Sequence, residues 1–405
     1  MKGTSMRIGM MADVYKPHIS GITNYISLNK SYLESAGHQV YVFTFGDEDY
    51  QDDETNIVRS PGLPLLDTGY YIGLRYSKEA RKLVSSMDVM HVHHPFLSGS
   101  LALRYRISRG LPIVFTNHTR YDLYAQVYLP GIPDVIGETA LQAYMQTFCR
   151  SCDVVVAPSP GMRQVMQRFG VDVPIQVAPN GVDLKPFQTP EPTIDRAAIG
   201  FGPDDVILVY AGRLGPEKNL PFLLRSFAGT AQACEQVKLL IIGDGPERDN
   251  LEDRVRHMSC ENRVHFTGMI PYAEVPGYLA LADAFVTASI TEVHPLSVIE
   301  GMAAGLPVLG IQSPGVGDTI RDGETGLLSP NEDMAAFTAR MVRLVLDHES
   351  RRRMGVNARL ASAEYAIERT TQLILDVYQQ AIAGAVSRKR GFRARLTRWW
   401  DSLGR

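Results

Sequence analysis

Two carboxylates lie close together near the start of one predicted helix in the second half of the chain. In the stretch TEVHPLSVIEGMAAGLPV, Glu292 and Glu300 are separated by seven residues. Eight residues of continuous helix would turn through roughly 800°, which would leave the two side chains about 80° apart. The spacing therefore favours Glu292 in a loop and Glu300 inside the next helix, whose first N–H groups could bind an anion. Alone, such spacing more often marks two ordinary glutamates, one near the positive end of a helix dipole.

Two cations flank a glycine-containing turn earlier in the same half. The segment YAGRLGPEKNLPFLL (210–224) predicts a strand, a turn and a helix that begins near Pro221. Arg213 offers a planar fork for phosphate oxygens, and Lys218 offers a compact charge. Two solvated loop cations would give the same pattern, so a phosphate site needs support from the neighbouring motifs.

Two further predicted strands end in similar turns. The glycines of IIGDGPERDNLE (241–252) permit close approach of other atoms to the backbone, and FTGMIP (266–271) could offer N–H and C=O groups to a flat base. The first of these is not a G-x-G-x-x-G motif, so it is a weak signal by itself.

The elements that must position these residues alternate between strand and helix. Continuous Val, Ile and Leu runs indicate parallel sheets covered by helices on both faces and joined by right-handed βαβ units. The predicted strands are 6–12, 39–45, 88–94, 112–118, 153–159, 175–181, 206–212, 238–244, 263–268, 284–289 and 306–311.

A polar, proline-rich segment, PFQTPEPTID (186–195), separates these strands into two groups and is typical of a linker. We therefore expect an α/β protein in which two doubly wound, Rossmann-like domains face a central cleft, with ligands beyond the carboxyl ends of the strands. The predicted boundaries are 1–185, 186–372 and 373–405, the last being a C-terminal helix that returns to the first domain and a basic, Trp-containing tail.

The composition fits such a protein. The chain has 405 residues, of which 45% are hydrophobic and 21% charged, and a single core stops growing near ~250–300 residues. A net charge of −3 argues against nucleic-acid binding by the chain as a whole. Cys149 and Cys152 form a C-x-x-C without a visible second ligand pair, so we expect reduced, buried or half-buried thiols.

In this order and spacing, the motifs GRLGPEKN, GDGP, FTGMIP and the E-x7-E before GMAAGLPV resemble those of the GT-B glycosyltransferases of the retaining family four. The N-terminal segment MRIGMMADVYKPHISGITNYISLNKSYLESAGHQVYVFT and the segment VAPNGVDLKPF (177–187) are similar to the same family. The resemblance implies hexosyl transfer from a nucleotide sugar with retained anomeric configuration and without a required cofactor. It also implies that the first domain binds the acceptor and the second binds the donor.

The resemblance assigns catalytic roles to four residues. Glu292 is expected to bind the hydroxyls of the donor sugar, and His118 is expected to contact that sugar near the reacting carbon. Arg213 and Lys218 are expected to neutralise the diphosphate and the charge that grows on it as the sugar leaves.

The remaining donor contacts are implied in the same way. Gly21 would let the backbone approach the donor phosphate, and Glu300 would bind the ribose. The backbone around Met269 and Ile270 would take the base, with uracil expected and guanine left open.

One motif departs from the pattern of many relatives, which have Phe-Gly-Leu after the first glutamate. This chain has His294-Pro295-Leu296, and Pro295 lacks an N–H. A phosphate contact must therefore come from the amide of Leu296 or Ser297, and we expect His294 to pack rather than to donate.

Three residues are assigned to the acceptor side: His18, His94 and Tyr121. A metal site is not expected, because convergent ligands are not evident around His91, His93 and His94. The acidic run DEDYQDDE (47–54) resembles the D-x-D of metal-dependent transferases of another fold, but here it follows a strand. We expect it to be a solvated loop without a catalytic role.

The segments HVHHPFLSG and FTNHTRYDLYAQ are most similar to the branch that glycosylates diacylglycerol and related membrane lipids. A UDP-sugar donor, with glucose as the favoured sugar, and a lipid acceptor are therefore expected, with no nucleic-acid partner. The competing interpretations are a GDP-mannose transferase that acts on phosphatidylinositol or a glycan, an inactive GT-B module that binds membranes, and an epimerase or phosphorylase of this fold.

The C-terminal tail RKRGFRARLTRWWDSLGR carries a net charge of +6, which leaves −9 for the remainder, and it holds both tryptophans. Basic residues and Trp favour the interface of an anionic membrane, although a disordered basic tail is the alternative. A second candidate for membrane contact is LLDTGYYIGLRYSKEARKL (65–83). Because no apolar run approaches the ~20 residues of a membrane span, we expect a cytoplasmic protein associated peripherally with the inner face of the cell membrane.

Overall fold

The computed structural model describes residues 5–18, 20–64, 71–73, 75–121, 123, 134–190 and 194–403, with 134–136 and 388–403 described by their backbone only. Parts of three sequence segments discussed above therefore lie outside the described residues. These are the linker, the segment 65–83 and the segment FTNHTRYDLYAQ, and the side chains of the basic tail lie outside them too.

The first half of the chain contains nine described strands. They are β1 (Arg7–Met11), β2 (Gln39–Phe45), β3 (Ile57–Ser60), β4 (Leu63–Pro64), β5 (Tyr71–Ile72), β6 (Val89–Val92), β7 (Ile113–Thr116), β8 (Val154–Ala157) and β9 (Ile175–Val177). Seven of them form a parallel sheet in the order β3-β2-β1-β6-β7-β8-β9, while β4 and β5 form a separate antiparallel pair. In the centre of the sheet, Ile8 lies opposite Val40 on one side and Val89 on the other.

The second half contains a six-stranded parallel sheet. Its strands are β10 (Val206–Ala211), β11 (Val237–Ile242), β12 (Val264–Gly268), β13 (Ala284–Val286), β14 (Val308–Ile311) and β15 (Gly326–Ser329). Their order in the sheet is β12-β11-β10-β13-β14-β15.

Helices cover both faces of each sheet. The described α-helices are α1 (Gly21–Ser35), α2 (Lys78–Val84), α3 (Leu97–Arg109), α4 (Asp134–Arg150), α5 (Pro160–Arg168), α6 (Lys185–Gln188), α7 (Leu220–Ala233), α8 (Arg248–His257), α9 (Val275–Leu279), α10 (Leu296–Ala303), α11 (Val316–Thr319), α12 (Met334–Leu346), α13 (His348–Ser362) and α14 (Ile367–Leu403).

Consecutive side chains of a central strand enter different apolar layers, as the alternation of a strand requires. In β1, Met10 packs into the layer that contains Tyr378 of α14, whereas Met11 packs into the layer on the opposite face. In β10, Val209 and Tyr210 divide between two layers in the same way. Burial on both faces explains why these strands appear in the sequence as unbroken apolar runs.

Each sheet has one point where the strand order reverses. The chain leaves β1 towards β2 and later returns to β6 on the other side, and it leaves β10 towards β11 and returns to β13. In open α/β sheets the crevice at such a reversal, beyond the carboxyl ends of the strands, is the place where ligands bind. A ligand site is therefore expected at the loops after β1, β6, β10 and β13.

The C-terminal helix α14 packs against the first sheet, although it follows the second sheet in the chain. Ile374, Val377 and Tyr378 are buried in the same layer as the residues of β1. The hydroxyl of Tyr378 lies 2.7 Å from Nδ1 of His91 in β6. None of the described helices combines the length and apolar character that a membrane span needs.

The strands predicted from the sequence are present in the structure and follow the predicted order along the chain. All eleven predicted strands correspond to strands of the two sheets. The edge strands β3 and β15 were not predicted, because short strands of four residues give little periodicity. The two-residue strands β4 and β5 were not predicted either.

Most of the acidic run 47–54 is exposed, as the sequence predicted, but Glu54 at its end is half-buried and has polar partners. Glu54 accepts hydrogen bonds from the hydroxyls of Tyr15 and Ser27, at 3.0 and 2.7 Å. Its carboxylate also lies 2.6 Å from Nζ of Lys16. The end of the acidic run therefore anchors the loop between β1 and α1.

Replacing Tyr378 with Phe tests whether the return of α14 depends on its contact with His91. The substitution keeps the packing but leaves a buried ring nitrogen without its partner, which costs about 1–3 kcal/mol. We expect a lower urea midpoint for Tyr378→Phe. The matched control is Tyr32→Phe, whose hydroxyl makes an exposed 3.4 Å contact with Glu368 and should change stability by less than about 0.5 kcal/mol. Equal midpoints for the two variants would show that the contact contributes nothing.

Candidate active site

Backbone hydrogen bonds join the loops that follow β10, β11 and β12. The N–H of Gly212 donates to the C=O of Ile242 at 3.0 Å, and the N–H of Gly243 donates to the C=O of Gly268 at 3.2 Å. At Gly243, φ is +130° and a Cβ would lie 2.1 Å from the carbonyl oxygen of Gly212, so a side chain has no room. The glycines noted in the sequence thus fix the turn that carries Arg213.

Lys218 and Glu292 form an ion pair at the reversal point of the second sheet. Lys218 ends a single turn before α7, and Glu292 lies in the loop after β13, as predicted. Lys218 Nζ donates to Glu292 Oε1 at 2.5 Å, and the two side chains are 20% and 23% exposed. Burial lowers the pKa of Lys218, but the charges of Glu292, Tyr210 and Glu217 and the hydrogen bond to Glu292 together raise that pKa above its ordinary value. The pair can exchange this contact for a phosphate oxygen on one side and a hydroxyl on the other.

Arg213 is the more accessible of the two predicted cations. Its side chain is 54% exposed and lies 4.0 Å from the carboxylate of Glu217. An exposed guanidinium beside a half-buried ammonium gives this loop two positive groups of different reach.

The helix α10 begins directly after the Glu292 loop. Its first backbone hydrogen bond runs from the N–H of Ile299 to the C=O of Pro295 at 3.3 Å. The N–H groups of Leu296 and Ser297 therefore take no part in the helix, and they are available to an anion at its positive end.

Glu300 lies inside α10 and is buried, with 7% of its surface exposed. The hydroxyl of Tyr272 donates to Glu300 Oε1 at 2.8 Å. Burial raises the pKa of Glu300 to about 7, although the hydrogen bond from Tyr272 opposes the shift. The turn that holds Tyr272 also carries Met269, which is 65% exposed, and Ile270, which is half-buried.

A cluster of buried histidines lies at the carboxyl ends of β6 and β7. His118 is 9% exposed and its Nε2 lies 3.1 Å from Nδ1 of His93. The ring of His118 also packs against Tyr25 of α1, with centroids 4.7 Å apart. Burial, followed by the charges of His91 and His94, holds the pKa of His118 well below 6.5. The imidazole of His118 is therefore neutral at pH 7.

The loop between β1 and α1 approaches the second half of the chain. Gly21 is the first residue of α1, Ser20 caps that helix, and a Cβ at Gly21 would meet no atom within 4 Å. Burial and the positive charge of Arg213 both lower the pKa of His18. His18 therefore lies close enough to Arg213 for the charge of the guanidinium to act on its imidazole.

The predicted acceptor-side residues continue from this loop. The Nδ1 of His94 accepts from the N–H of Asp13 at 3.2 Å, and burial lowers the pKa of His94. The ring of Tyr121 packs edge-on against Phe96 at 5.1 Å, and Phe96 is 39% exposed. The first half therefore offers polar and aromatic groups side by side at the cleft.

His294 packs, as the sequence analysis expected. Its ring lies 5.0 Å from that of Tyr365, and its carbonyl accepts from the side chain of Asn180 at 3.2 Å. A second contact between the halves joins the N–H of Gly161 to Asp318 Oδ2 at 2.6 Å.

Sequence reasoning missed Tyr272 and Asp13 as site residues. Tyr272 gave no signal, because its contact with Glu300 depends on how the turn after β12 packs against α10. Asp13 accepts from the N–H and the hydroxyl of Ser98, at 2.7 and 2.6 Å, and so fixes the start of α3 beside His94. Its position directly after a buried strand was the available signal.

The C-x-x-C segment of the described chain holds two free cysteines. Cys149 is buried in α4 and Cys152 is half-buried just beyond it, and both are free thiols, as the sequence predicted. Among the residues that the structure describes, no group of three or more His, Cys, Asp or Glu side chains could hold a metal ion.

Two family models match the two halves of the chain. The model of glycosyltransferase family 4 matches residues 19–186, and that of glycosyl transferases group 1 matches residues 192–361. Among solved structures, sucrose-phosphate synthase of Thermosynechococcus elongatus has a TM-score of 0.76 at 23% identity and covers 93% of this chain and 99% of that one. HepE of Anabaena, in complex with UDP and glucose, has a TM-score of 0.74 at 18% identity, with coverage of 92% and 99%. The fold is therefore GT-B.

Curated relatives narrow the class. The alpha-monoglucosyldiacylglycerol synthase of Streptococcus pneumoniae is 30% identical over 333 residues, which cover 80% of this chain and 75% of the relative. The protein of the same name from Acholeplasma laidlawii is 28% identical over 381 residues, with coverage of 90% and 94%. The chain belongs to the GT-B glycosyltransferases of family four, and it is a glycosyltransferase related to the lipid glucosyltransferase branch.

The raised pKa of Glu300 predicts a pH-dependent stability. Between pH 4.5 and about 7 the folded state keeps the proton of Glu300 while the unfolded state loses it. Stability should therefore fall as pH rises through this window. We expect the stability of the wild type relative to Glu300→Gln to drop by about 1–3 kcal/mol from about pH 5 to about pH 8 in urea unfolding. Glu235→Gln, at an exposed position, is the control. A difference that stays constant with pH would contradict the burial of an ionisable Glu300.

Proposed function

We propose that this protein transfers glucose from UDP-glucose to a membrane lipid of the diacylglycerol type, with retention of the anomeric configuration. The observation that carries the proposal is the ion pair of Lys218 and Glu292 beside the open amides of α10. It sits in a chain whose curated relatives are named alpha-monoglucosyldiacylglycerol synthases.

The donor is expected to bind across the reversal point of the second sheet. Its diphosphate would lie near Arg213, Lys218 and the N–H groups of Leu296 and Ser297. Two positive side chains and a helix N-terminus then act on the same anion. The exposed backbone of Gly21 on the opposite side of the cleft leaves space for the phosphates.

The two carboxylates have different environments, which supports different roles. Glu292 is part-exposed and paired with a cation, so it can turn to the hydroxyls of the donor sugar. Glu300 is buried with Tyr272 next to the turn of Met269 and Ile270, which suits a ribose and its base. UDP bound to a structural neighbour of the same fold is compatible with this arrangement.

The acceptor is expected to enter from the first half of the chain. His18 and His94 offer polar contacts for a hydroxyl group, and Tyr121 lies beside the exposed ring of Phe96. Two histidines next to an aromatic surface suit the free hydroxyl of a glycerol whose other two oxygens carry acyl chains.

In the proposed reaction, the bond between the anomeric carbon and the β-phosphate oxygen breaks while the acceptor oxygen bonds to the same face of that carbon. The proton of the acceptor passes to the leaving phosphate, so the products are the glycoside and UDP. Arg213 and Lys218 stabilise the negative charge that grows on the phosphate. His118, neutral at pH 7, contacts the sugar near the reacting carbon.

We further propose the domain boundaries 1–185, 186–372 and 373–405, the last part belonging structurally to the first domain. The packing of α14 on the first sheet supports this division. The polar contacts between the halves at Asn180 and Gly161 would then lie at the hinge side of the cleft.

Replacement of Glu292 tests the donor site. We expect Glu292→Gln to lower the rate of glucosyl transfer by at least about a hundredfold while the protein stays folded, because Lys218 keeps a hydrogen-bond partner while the sugar loses a carboxylate. The assay supplies UDP-glucose, UDP-galactose or GDP-mannose with diacylglycerol vesicles, with and without EDTA, and detects the lipid product by mass.

The control for this assay is Glu235→Gln, which should keep full activity. Product with GDP-mannose alone would replace the proposed donor, and an absence of product with every donor would favour the inactive module. Full turnover by Glu292→Gln would remove Glu292 from the mechanism.

Membrane association is proposed to involve the basic tail and the face of α2. Arg75, Lys78 and Lys82 are exposed, and the nearby Ile72 is 43% exposed. The charges of Arg81, Arg104 and Arg75 lower the pKa of Tyr105, although burial raises it more. Several cations of the first half are therefore concentrated on one surface next to apolar side chains.

Deleting residues 388–405 should weaken binding to anionic vesicles by about tenfold or more, because each Lys or Arg near such a surface contributes ~1 kcal/mol. The double variant Lys78→Glu with Lys82→Glu should add to this loss in vesicle sedimentation. Arg352→Glu, an exposed charge on α13, is the control and should bind normally. Unchanged binding after the truncation would exclude the tail from the membrane surface.

A further inference from the structure

His93 is the member of the histidine cluster that contacts His118 directly, and the proposed mechanism gives it no role. His93 is fully buried, with 0% of its surface exposed. Its Nδ1 lies 3.1 Å from Nε2 of His118, and the two rings are close to parallel, with centroids 5.3 Å apart. A nitrogen-to-nitrogen contact of this length requires one ring to donate and the other to accept.

We propose that His93 is a positioning residue that donates from Nδ1 to Nε2 of His118, so that His118 carries its own proton on Nδ1. This role rests on the proposed function of His118, and it specifies which form of the imidazole meets the donor sugar. His93 itself is not expected to touch a substrate.

The choice between the two directions of this hydrogen bond follows from the other nitrogen of His93. Its Nε2 is buried and has no hydrogen-bond partner among the described residues. If His118 donated, the proton of neutral His93 would have to sit on this Nε2, as a buried donor without an acceptor. If His93 donates, Nε2 is only a bare acceptor. Buried donors without a partner are rarer than under-used acceptors.

The neighbours of the pair do not offer a competing partner. The ring of His91 packs against that of His93 at a tilt of 42°, with centroids 4.1 Å apart. Both nitrogens of His91 are already engaged, with the hydroxyl of Tyr378 and with that of Thr116, each at 2.7 Å. Burial, then the charges of His91, His118 and His94, holds the pKa of His93 well below 6.5, so both rings of the pair are neutral at pH 7. Each ring then carries one N–H proton, and one of these two protons lies in the hydrogen bond between the rings.

For catalysis, the consequence is that His118 presents a hydrogen-bond donor at one fixed ring nitrogen. With Nε2 of His118 occupied as an acceptor, Nδ1 carries the hydrogen and can donate to a sugar oxygen. Contacts with His93 and with Tyr25 hold the ring in place. A histidine whose second nitrogen has a fixed partner presents one tautomer, whereas a free imidazole exchanges between two.

The direct test is nitrogen NMR of ligand-free protein labelled with ¹⁵N-histidine, with the signals of His118 identified by their loss in His118→Gln. We expect long-range correlations at neutral pH that show a protonated Nδ1 and a bare Nε2 on His118. A protonated Nε2, or a doubly protonated ring, would overturn the proposal whatever the enzyme transfers.

The kinetic test uses two replacements of His93. In His93→Phe a phenyl ring fills the space of the imidazole, but the Nδ1–H donor is lost. The kcat for transfer should therefore fall by about ten- to a hundredfold, as for other partners that orient a functional histidine. The KM for UDP-glucose should change much less than kcat. In His93→Asn the side-chain N–H₂ can take the place of Nδ1, and most of the activity should return.

These measurements distinguish a failure of the proposed transferase function from a failure of the proposed role of His93. An absence of transfer with all donors would refute the proposed function, while the NMR result on the tautomer would stand by itself. Equal losses in His93→Phe and His93→Asn would show a purely structural role and contradict the proposal. The background variant is His38→Gln, just before β2 at the amino ends of the strands, where Nδ1 of His38 accepts from the N–H of Met6. It should change neither kcat nor the signals of His118.

Discussion

The ion pair between Lys218 and Glu292 is the interaction on which the site depends. It links the turn after β10 to the loop after β13, on either side of the point where the strand order reverses. Removing one partner of such a half-buried pair would leave a charge without compensation. The pair therefore keeps a cation and a carboxylate in the loops beside the first amides of α10. The geometry suits a ligand that carries both anionic oxygens and hydroxyl groups.

The two halves of the chain contribute different chemistry to the cleft. The second half supplies cations, open amides and two carboxylates, whereas the first supplies neutral histidines and aromatic rings. His18 and Arg213 are close enough that the charge of one affects the pKa of the other. The helix α14 connects the end of the chain to the histidine layer through Tyr378 and His91. By the proposed function, one helix thus joins the reacting centre to the basic tail.

Much of the fold could be predicted from the sequence, because buried parallel strands produce unbroken apolar runs between glycine turns. The same reasoning placed Glu292 in a loop and Glu300 in a helix, and the structure confirms both positions. It could not find the contact between Tyr272 and Glu300 or the pair of His93 and His118, since each joins residues from separate elements whose arrangement in space the sequence does not state. The contacts of Glu54 could not be found either, because an acidic run gives no sign of the tyrosine, serine and lysine that surround this residue. Edge strands such as β15 were missed for lack of length.

A crystal structure with bound UDP-glucose is the most direct test of the central claim. The account predicts the diphosphate within hydrogen-bond distance of Lys218 Nζ and of the N–H groups of Leu296 and Ser297. It also predicts that Glu292 faces the glucose and Glu300 faces the ribose. A donor bound elsewhere, or a Lys218 that keeps Glu292 as its only partner while the sugar lies away from both, would contradict it.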